Sequence, residues 1–383
     1  MQPQHGFSCF REKSATILGG DGGGTTNPIH SFDEWSPLKA VVVGRAGGAC
    51  VPSPDDPMVR ACVSERNLEL LRRYKEQPFP STLVDAANGE LDNLASLLVR
   101  WGIQVFRPES VDFTRTFTTP HFSSKGLYAA MPRDSLITLG AELLQAPMAW
   151  RARFFEYLAY EKIKKTLVKS GGVWRTAPKP CMSDKLYDWH FQPSGPGHFA
   201  TTEFKPCFDA ADMIRCGQDV FVQRSQVTNL AGIAWIGSTL PKGMRMHRLV
   251  FDDPNPMHLD STIMPLRPGL LLVNPQRRCH QAQFFLDAGW RMVEAPLPAL
   301  PDDWPLYLSS AWLSMNLLVI DQRRVLVEAG EHATLRLLES LGFEPIPLPF
   351  RHVYSMGGGF HCATCDLHRS GGLESYGFSS MNS

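Results

Sequence analysis

The sequence predicts an α/β fold, in which short buried strands alternate with amphipathic helices. Strand-like runs rich in aliphatic and β-branched residues occur at 38–44, 135–140, 269–274 and 317–321. Apolar residues recur at helical spacing in the intervening sequence, at 83–101, 150–168 and 333–341. The two kinds of segment alternate along most of the chain, which is the pattern of an α/β protein.

Composition excludes several classes of protein. The 383 residues are 43% apolar and 20% charged, and 38 basic residues balance 38 acidic ones. A nucleic-acid-binding protein would show an excess of positive charge, and a membrane-spanning helix needs about 20 consecutive apolar residues. Nine scattered cysteines and the lack of an apolar leader predict reduced thiols and a cytoplasmic protein that binds neither nucleic acid nor membrane.

Two segments of unequal length are expected. Residues 1–31 read as a flexible N-terminal tail, because the glycine-rich stretch 19–24 offers little apolar surface to bury. No Lys-Ser or Lys-Thr follows these glycines, so the stretch lacks the signature of a phosphate-binding loop. Residues 32–383 are predicted to form one catalytic domain.

Polar clusters recur near the predicted strands, and we interpret them as strand ends that meet at a central site. They are 132–134, 208–209, 257–260, 274–277, 309–310 and 361–362. Such recurrence suggests repeated modules, although no fixed sequence period is visible.

The segment 357–366 contains three glycines followed by a Cys-x-x-Cys pair. Zinc binding would need further ligands at suitable spacing, a thioredoxin-type pair belongs near a βαβ unit, and haem attachment places histidine after the second cysteine. A single nucleophilic thiolate at Cys362 and a purely structural cysteine are the two interpretations that the residues leave open.

Other polar residues also have two interpretations. If 253–262 is an extended strand, His258 and Asp260 share one face and form an acid/base pair beside a cation site. The alternative is a histidine hydrogen-bonded in a turn. Asp209 is either a catalytic carboxylate or a helix cap, and Arg133 and Asp134 could simply pair at the surface.

Taken together, these segments resemble the glycine amidinotransferase family, which includes amidinotransferases of inosamine-phosphate and cyanotoxin pathways. The similarity extends from about Ser31 to Tyr376, nearly the whole folded chain. The matching segments are 131–134, 146–151, 207–212, 223–229, 312–316 and 358–362.

The resemblance implies a pentein α/β-propeller of five ββαβ-type modules around a pseudo-fivefold axis, and a homodimer without metal or organic cofactor. It makes Cys362 the nucleophile and His258 and Asp209 its catalytic partners. The residues implied to bind substrate are Asp134, Asp260, Arg277, Ser309, Ser310, Asn255 and Met257.

The implied reaction moves the amidino group of L-arginine through an amidino-cysteine to glycine, giving ornithine and guanidinoacetate. Asn255 and Met257 resemble the glycine-using members, in which this segment narrows the pocket. Two alternatives are transfer to a larger amine in toxin biosynthesis and hydrolysis of an arginine deiminase type.

Overall fold

The structure is a computed structural model that describes residues 27–192, 195, 197–300, 304–308 and 310–380. Its strands are β1 (Leu38–Val43), β2 (Gln104–Phe106), β3 (Thr116–Thr118), β4 (Ser123–Lys125), β5 (Leu136–Leu139), β6 (Glu142–Gln145), β7 (Val173–Thr176), β8 (Met213–Cys216), β9 (Asp219–Gln223), β10 (Arg245–Leu249), β11 (Ile263–Arg267), β12 (Leu270–Val273), β13 (Arg291–Glu294), β14 (Leu318–Val319), β15 (Arg324–Glu328), β16 (Glu344–Leu348) and β17 (Thr364–Arg369). Its α-helices are α1 (Pro57–Cys62), α2 (Glu65–Arg73), α3 (Ser81–Arg100), α4 (Pro132–Ser135), α5 (Glu161–Lys169), α6 (Leu230–Thr239), α7 (Ala282–Asp287), α8 (His332–Ser340) and α9 (Arg351–Ser355). The α/β class predicted from the sequence is confirmed.

Five three-stranded sheets in the described residues share one connectivity. Their strand orders are β17-β1-β2, β5-β6-β7, β8-β9-β10, β11-β12-β13 and β14-β15-β16. In each sheet the central strand pairs antiparallel with one neighbour and parallel with the other. Helical structure lies between the two parallel strands, because a parallel connection must cross back over the sheet.

Short turns placed before the first strand of each sheet carry most of the predicted polar clusters. Helix α4 precedes β5, and 3-10 turns at Ala210–Asp212, Leu259–Ser261 and Ala311–Met315 precede β8, β11 and β14. Our interpretation of the clusters as strand ends is therefore wrong for these segments. Helix α4 contacts the first of these 3-10 turns, and each successive turn contacts the next, which gathers the clusters in one place.

The helix predicted at 150–168 also needs correction. Residues 150–168 do not form one helix, since 3-10 turns at Arg151–Arg153 and Glu156–Tyr160 precede α5. Arg153 and Glu156 are buried and pair with each other, so this stretch lacks the polar outer face of an amphipathic helix.

The predicted tail lies outside the described residues as far as residue 26, but its last residues are packed. Ile29 and Ser31 are fully buried, and the backbone N–H of His30 donates to the carbonyl of Leu367 at 2.8 Å. Ordered structure therefore begins before residue 32. The buried Ile29 side chain and the backbone hydrogen bonding of His30 hold residues 29–31 against the rest of the fold.

The described residues contain no helix long and apolar enough to cross a membrane. The eight cysteines in this part of the chain are free thiols, as the sequence predicted.

Candidate active site

A cavity of about 750 Å³ opens where the turns meet. Seven of the predicted site residues line it: Cys362, His258, Asp260, Arg277, Ser310, Asn255 and Met257. Asp134 and Asp209 lie immediately behind His258 and contact its ring, while Ser309 lies outside the described residues. The structure therefore brings together every predicted site residue that it describes.

Cys362 lies in the turn before β17, and its side chain is almost fully buried. Its Sγ is 3.2 Å from Asn316 Nδ2 and 3.4 Å from Asp260 Oδ2. Burial, followed by the charges of Asp260 and Asp134, raises the pKa of the Cys362 thiol well above its ordinary value. The sulfur is thus protonated at neutral pH when the cavity holds no cation.

The second cysteine of the Cys-x-x-Cys pair has different surroundings. Cys365 packs in a separate apolar cluster that includes Ile29, Leu136 and Leu367. Burial raises the pKa of the Cys365 thiol to about 12. Both cysteines are free, and Cys365 does not line the cavity.

His258 is held between two carboxylates. Its Nε2 is 3.1 Å from Asp209 Oδ2, and its Nδ1 is 3.6 Å from Asp134 Oδ1. Burial alone would lower the pKa of His258, but the two aspartates outweigh it and raise that pKa to about 10. The ring is therefore an imidazolium at neutral pH.

The backbone at His258 corrects the expected extended strand. Its φ is +55°, a conformation that non-glycine residues rarely adopt, and the 3-10 turn Leu259–Ser261 follows directly. This sharp turn, rather than strand alternation, directs His258 and Asp260 to the same cavity.

Asp134 and Asp209 are structural neighbours of a buried arginine that the sequence analysis missed. Arg153 Nη1 lies 2.8 Å from Asp134 Oδ2 and 3.7 Å from Asp209 Oδ2. Its other guanidinium nitrogens donate to Glu156 at 2.9 and 3.0 Å. Asp209 precedes a 3-10 turn but makes no capping hydrogen bond with its side chain, so the helix-cap interpretation is wrong.

Three carboxylate oxygens at the site are buried and have no hydrogen-bond partner among the residues that the structure describes. They are Asp134 Oδ1, Asp209 Oδ1 and Asp260 Oδ1. An ionised carboxylate oxygen only accepts hydrogen bonds, and leaving it buried without a donor is costly. Asp260 lines the cavity and the other two aspartates stand behind His258, so this side of the cavity suits a ligand that is cationic and rich in N–H donors.

His361 connects the site to a charged core that the sequence analysis did not predict. Its Nδ1 is 2.7 Å from Asp260 Oδ2, and its Nε2 is 3.1 Å from Glu34 Oε2. Burial and Arg133 oppose protonation, but hydrogen bonds to the two carboxylates raise the pKa of His361 above its ordinary value. Burial raises the pKa of Asp260, yet His361 outweighs it and holds that pKa below the ordinary value.

Behind His361, buried ion pairs connect distant parts of the chain. Arg215 donates to Glu34 at 2.9 and 2.7 Å and also to Asp366. Arg133 and Arg369 pair with the same Asp366 carboxylate. Arg133 and Asp134 therefore do not form the surface pair considered from the sequence, because both are buried and have other partners.

Arg277 and Ser310 lie on another part of the cavity wall. Arg277 Nε is 2.9 Å from Asp253 Oδ2, and its Nη1 donates to Ser261 Oγ and Thr262 Oγ1 at 3.1 and 3.0 Å. These contacts fix the guanidinium at the cavity surface. Asn255 lies nearby with a buried, unpartnered Oδ1.

Asp134, His258 and Cys362 offer ligand-type atoms within 4.8 Å of one another, which a metal ion could also use. A histidine must be neutral to bind a metal, however, and His258 is an imidazolium between two aspartates. Between the two aspartates this imidazolium is placed for proton transfer.

Comparison with known proteins identifies the family. Glycine amidinotransferase, mitochondrial, of Gallus gallus is 48% identical over 358 residues, which cover 91% of this chain and 85% of the relative. The chain belongs to the glycine amidinotransferase family. It is therefore an enzyme of the transferase class. L-arginine:L-lysine amidinotransferase of Pseudomonas savastanoi pv. phaseolicola is 41% identical, over 92% of this chain and 97% of the relative.

Solved structures agree with this assignment. A saxitoxin-pathway amidinotransferase from Microseira wollei has a TM-score of 0.84 at 37% identity, covering 91% of this chain and 99% of that one. Inosamine-phosphate amidinotransferase from Streptomyces griseus has a TM-score of 0.82 at 34% identity, with the same coverage. A dimethylarginine dimethylaminohydrolase, 14% identical with a TM-score of 0.53, covers 86% of this chain and 99% of its own, and shares the fold alone. No protein-family model matches the sequence.

Proposed function

We propose that this enzyme transfers the amidino group of L-arginine to glycine through an amidino intermediate on Cys362. The observation that carries the proposal is the set of three unpartnered carboxylate oxygens beside a thiol and an imidazolium. A guanidinium is planar, permanently cationic and rich in N–H donors, so it matches those acceptors in charge and in hydrogen bonding.

Arginine itself activates the nucleophile in this proposal. Asp134 and Asp260 bind the guanidinium, and Arg277, Ser309 and Ser310 hold the arginine carboxylate. In the empty site, burial and carboxylate charge keep Cys362 protonated. A bound guanidinium neutralises that negative field, so the Cys362 thiol gives its proton to solvent in the cavity and becomes a thiolate only when the electrophile is in place.

Transfer then proceeds in two half-reactions. The Cys362 sulfur bonds to the guanidinium carbon, the bond from that carbon to the ornithine nitrogen breaks, and His258 gives a proton to the leaving amine. Glycine enters, returns a proton to His258 and attacks the same carbon, which releases the thiolate. Asp209 orients the imidazole and stabilises its positive charge.

The mechanism is tested by isolating the first half-reaction. With arginine and no acceptor, the enzyme should release about one equivalent of ornithine and add one amidino group to the peptide containing Cys362. Cys365→Ala should leave this burst intact. A burst that survives in Cys362→Ala, or an adduct on Cys365, would refute the assignment, and steady release of citrulline would indicate hydrolysis instead.

Glycine is the proposed acceptor because the vertebrate relatives named glycine amidinotransferase, at up to 48% identity, are more similar to this chain than the L-arginine:L-lysine amidinotransferase, at 41%. Asn255 and Met257 line the cavity, and we assign the acceptor side to them. Met257→Ser should raise activity toward larger amines relative to glycine, because a shorter side chain leaves more room. Ornithine release in the absence of acceptor is the control and should change little. A wild-type enzyme that uses lysine or another large amine and ignores glycine would overturn the choice of acceptor only.

No metal or organic cofactor enters these steps. Dialysis against a chelator should therefore leave transfer intact, whereas activity restored by added zinc would contradict the mechanism.

The remaining proposals concern architecture and location. The five ββαβ-like sheets close into a pentein propeller around the cavity, supported by the contacts that join successive turns. One catalytic domain, which begins near residue 29, contains the site. The enzyme is a homodimer, and its compartment is the cytoplasm, in contrast to the vertebrate relatives named mitochondrial. Light scattering and cell fractionation test the last two statements.

A further inference from the structure

Asn316 contacts both the backbone and the side chain of Cys362. It is fully buried, and its Oδ1 accepts a hydrogen bond from the Cys362 backbone N–H at 2.8 Å. Its Nδ2 lies 3.2 Å from Cys362 Sγ. Because a backbone N–H only donates, the atom facing it must be the amide oxygen, and the NH₂ group must then point at the sulfur.

The surroundings hold Asn316 in this position. Its backbone N–H donates to Leu313 at 2.9 Å, and its carbonyl accepts the N–H of His361 at 3.3 Å. A Cβ on Gly359 would lie 2.7 Å from Asn316 Cβ and 2.9 Å from Oδ1. The third glycine of the 357–359 run is therefore required for the close approach of Asn316.

We propose that Asn316 is a catalytic residue that stabilises negative charge on the Cys362 sulfur. The inference rests on the proposed role of Cys362 as nucleophile. Among the described residues, the other hydrogen-bond contact of Sγ is Asp260, a carboxylate that opposes a thiolate. The Asn316 amide is a fixed neutral donor to the same sulfur, so it acts before arginine arrives and while it is bound.

Asn316 serves both half-reactions. In the first, its NH₂ group favours the thiolate that attacks the guanidinium carbon. In the second, the acceptor nitrogen bonds to that carbon, the carbon–sulfur bond breaks, and the electron pair returns to sulfur. The same N–H donor stabilises the departing thiolate, as preorganised donors do wherever charge develops.

The experiment measures ionisation of the sulfur without substrate. Asn316→Leu keeps the approximate shape of the side chain and removes the donor, and Asn316→Ala removes the donor without added bulk. Ser314→Ala is the matched control, because Ser314 is buried in the neighbouring turn with an unpartnered Oγ. Iodoacetamide labelling of the peptide containing Cys362 is followed from pH 7 upward, as in a conventional thiol titration.

We expect the rate of Cys362 labelling near pH 7 to fall about tenfold or more in both Asn316 variants, because each loses a hydrogen bond to a charged group. The difference from wild type should persist at every pH at which Cys362 is mostly protonated, and should narrow only as the wild-type sulfur begins to ionise. Ser314→Ala should follow the wild-type curve. An unchanged labelling curve would overturn the proposal, and so would a fall of equal size in Ser314→Ala, since that would report altered access to the sulfur.

A second measurement separates this inference from the proposed function. Ornithine release and its arginine KM are measured without acceptor in each variant. A slower burst with little change in KM is expected in Asn316→Leu. If wild type gives no ornithine burst, the proposed function fails while the labelling result still reports on Asn316. A normal burst in both Asn316 variants would refute the role of Asn316 alone.

Discussion

Gly359→Ala tests whether the position of Asn316 controls the nucleophile. Carbon atoms in contact lie about 3.5–4.0 Å apart, whereas the new Cβ would stand 2.7 Å from Asn316 Cβ. Asn316 must therefore retreat by roughly 1 Å, which lengthens its 2.8 Å and 3.2 Å contacts with Cys362 beyond normal hydrogen bonds. A misplacement of about 1 Å can cost about 100-fold in rate.

The assay is the rate of ornithine release from arginine, with unfolding in urea measured in parallel. We expect a rate loss of about 100-fold and a stability loss of about 1–3 kcal/mol from overpacking. Gly372→Ala is the control, because a Cβ there meets no atom within 4 Å. Near wild-type activity of Gly359→Ala, with folding intact, would show that the Asn316 contacts do not limit the reaction.

Three further predictions concern the charged residues. The raised pKa of His258 stabilises the fold fully below about pH 6.5, and this contribution is lost as pH rises through about 10. Over that upper range, the rate of ornithine release should decline. The difference in unfolding free energy between wild type and His258→Gln should decline with it. Arg153→Met should lower the free energy of unfolding, measured in urea, by about 3–5 kcal/mol, because it leaves the buried Asp134 carboxylate without this partner. Arg72→Met removes an exposed ion pair with Glu65 and should lower the same free energy by less than about 1 kcal/mol. Arg277→Gln should raise the KM for arginine about tenfold or more but leave the use of agmatine, which lacks the carboxylate, nearly unchanged; equal losses on both substrates would contradict its role.

The sequence was informative where chemistry is concentrated in short motifs. Cys362, His258 and Asp260 stand in unusual segments, and the family resemblance placed them in one site that the cavity contains. The resemblance could not say whether Cys362 is ionised. That depends on burial and on distances to Asp260 and Asp134, which only the folded chain defines.

Residues that support the site were harder to predict. Asn316 is neutral and stands in an apolar stretch, and His361 has the appearance of a neighbour of Cys362 rather than a partner of Asp260 and Glu34. Arg153 falls in a stretch whose apolar spacing predicts a helix. Its inward charge is stabilised by carboxylates from other turns, so no local pattern signals it.

The pairing of β1 with β17 has a consequence for synthesis of the protein. Val43 lies opposite Thr364, so the sheet beside the nucleophile joins the first strand of the described chain to the last. Closing so long a loop is slow compared with forming local contacts. Until the ribosome has made β17, Arg133 and Arg215 also lack their shared partner Asp366. A nascent chain halted before Cys362 therefore lacks both the nucleophile and the strand that completes this sheet, so it cannot be a partly active enzyme.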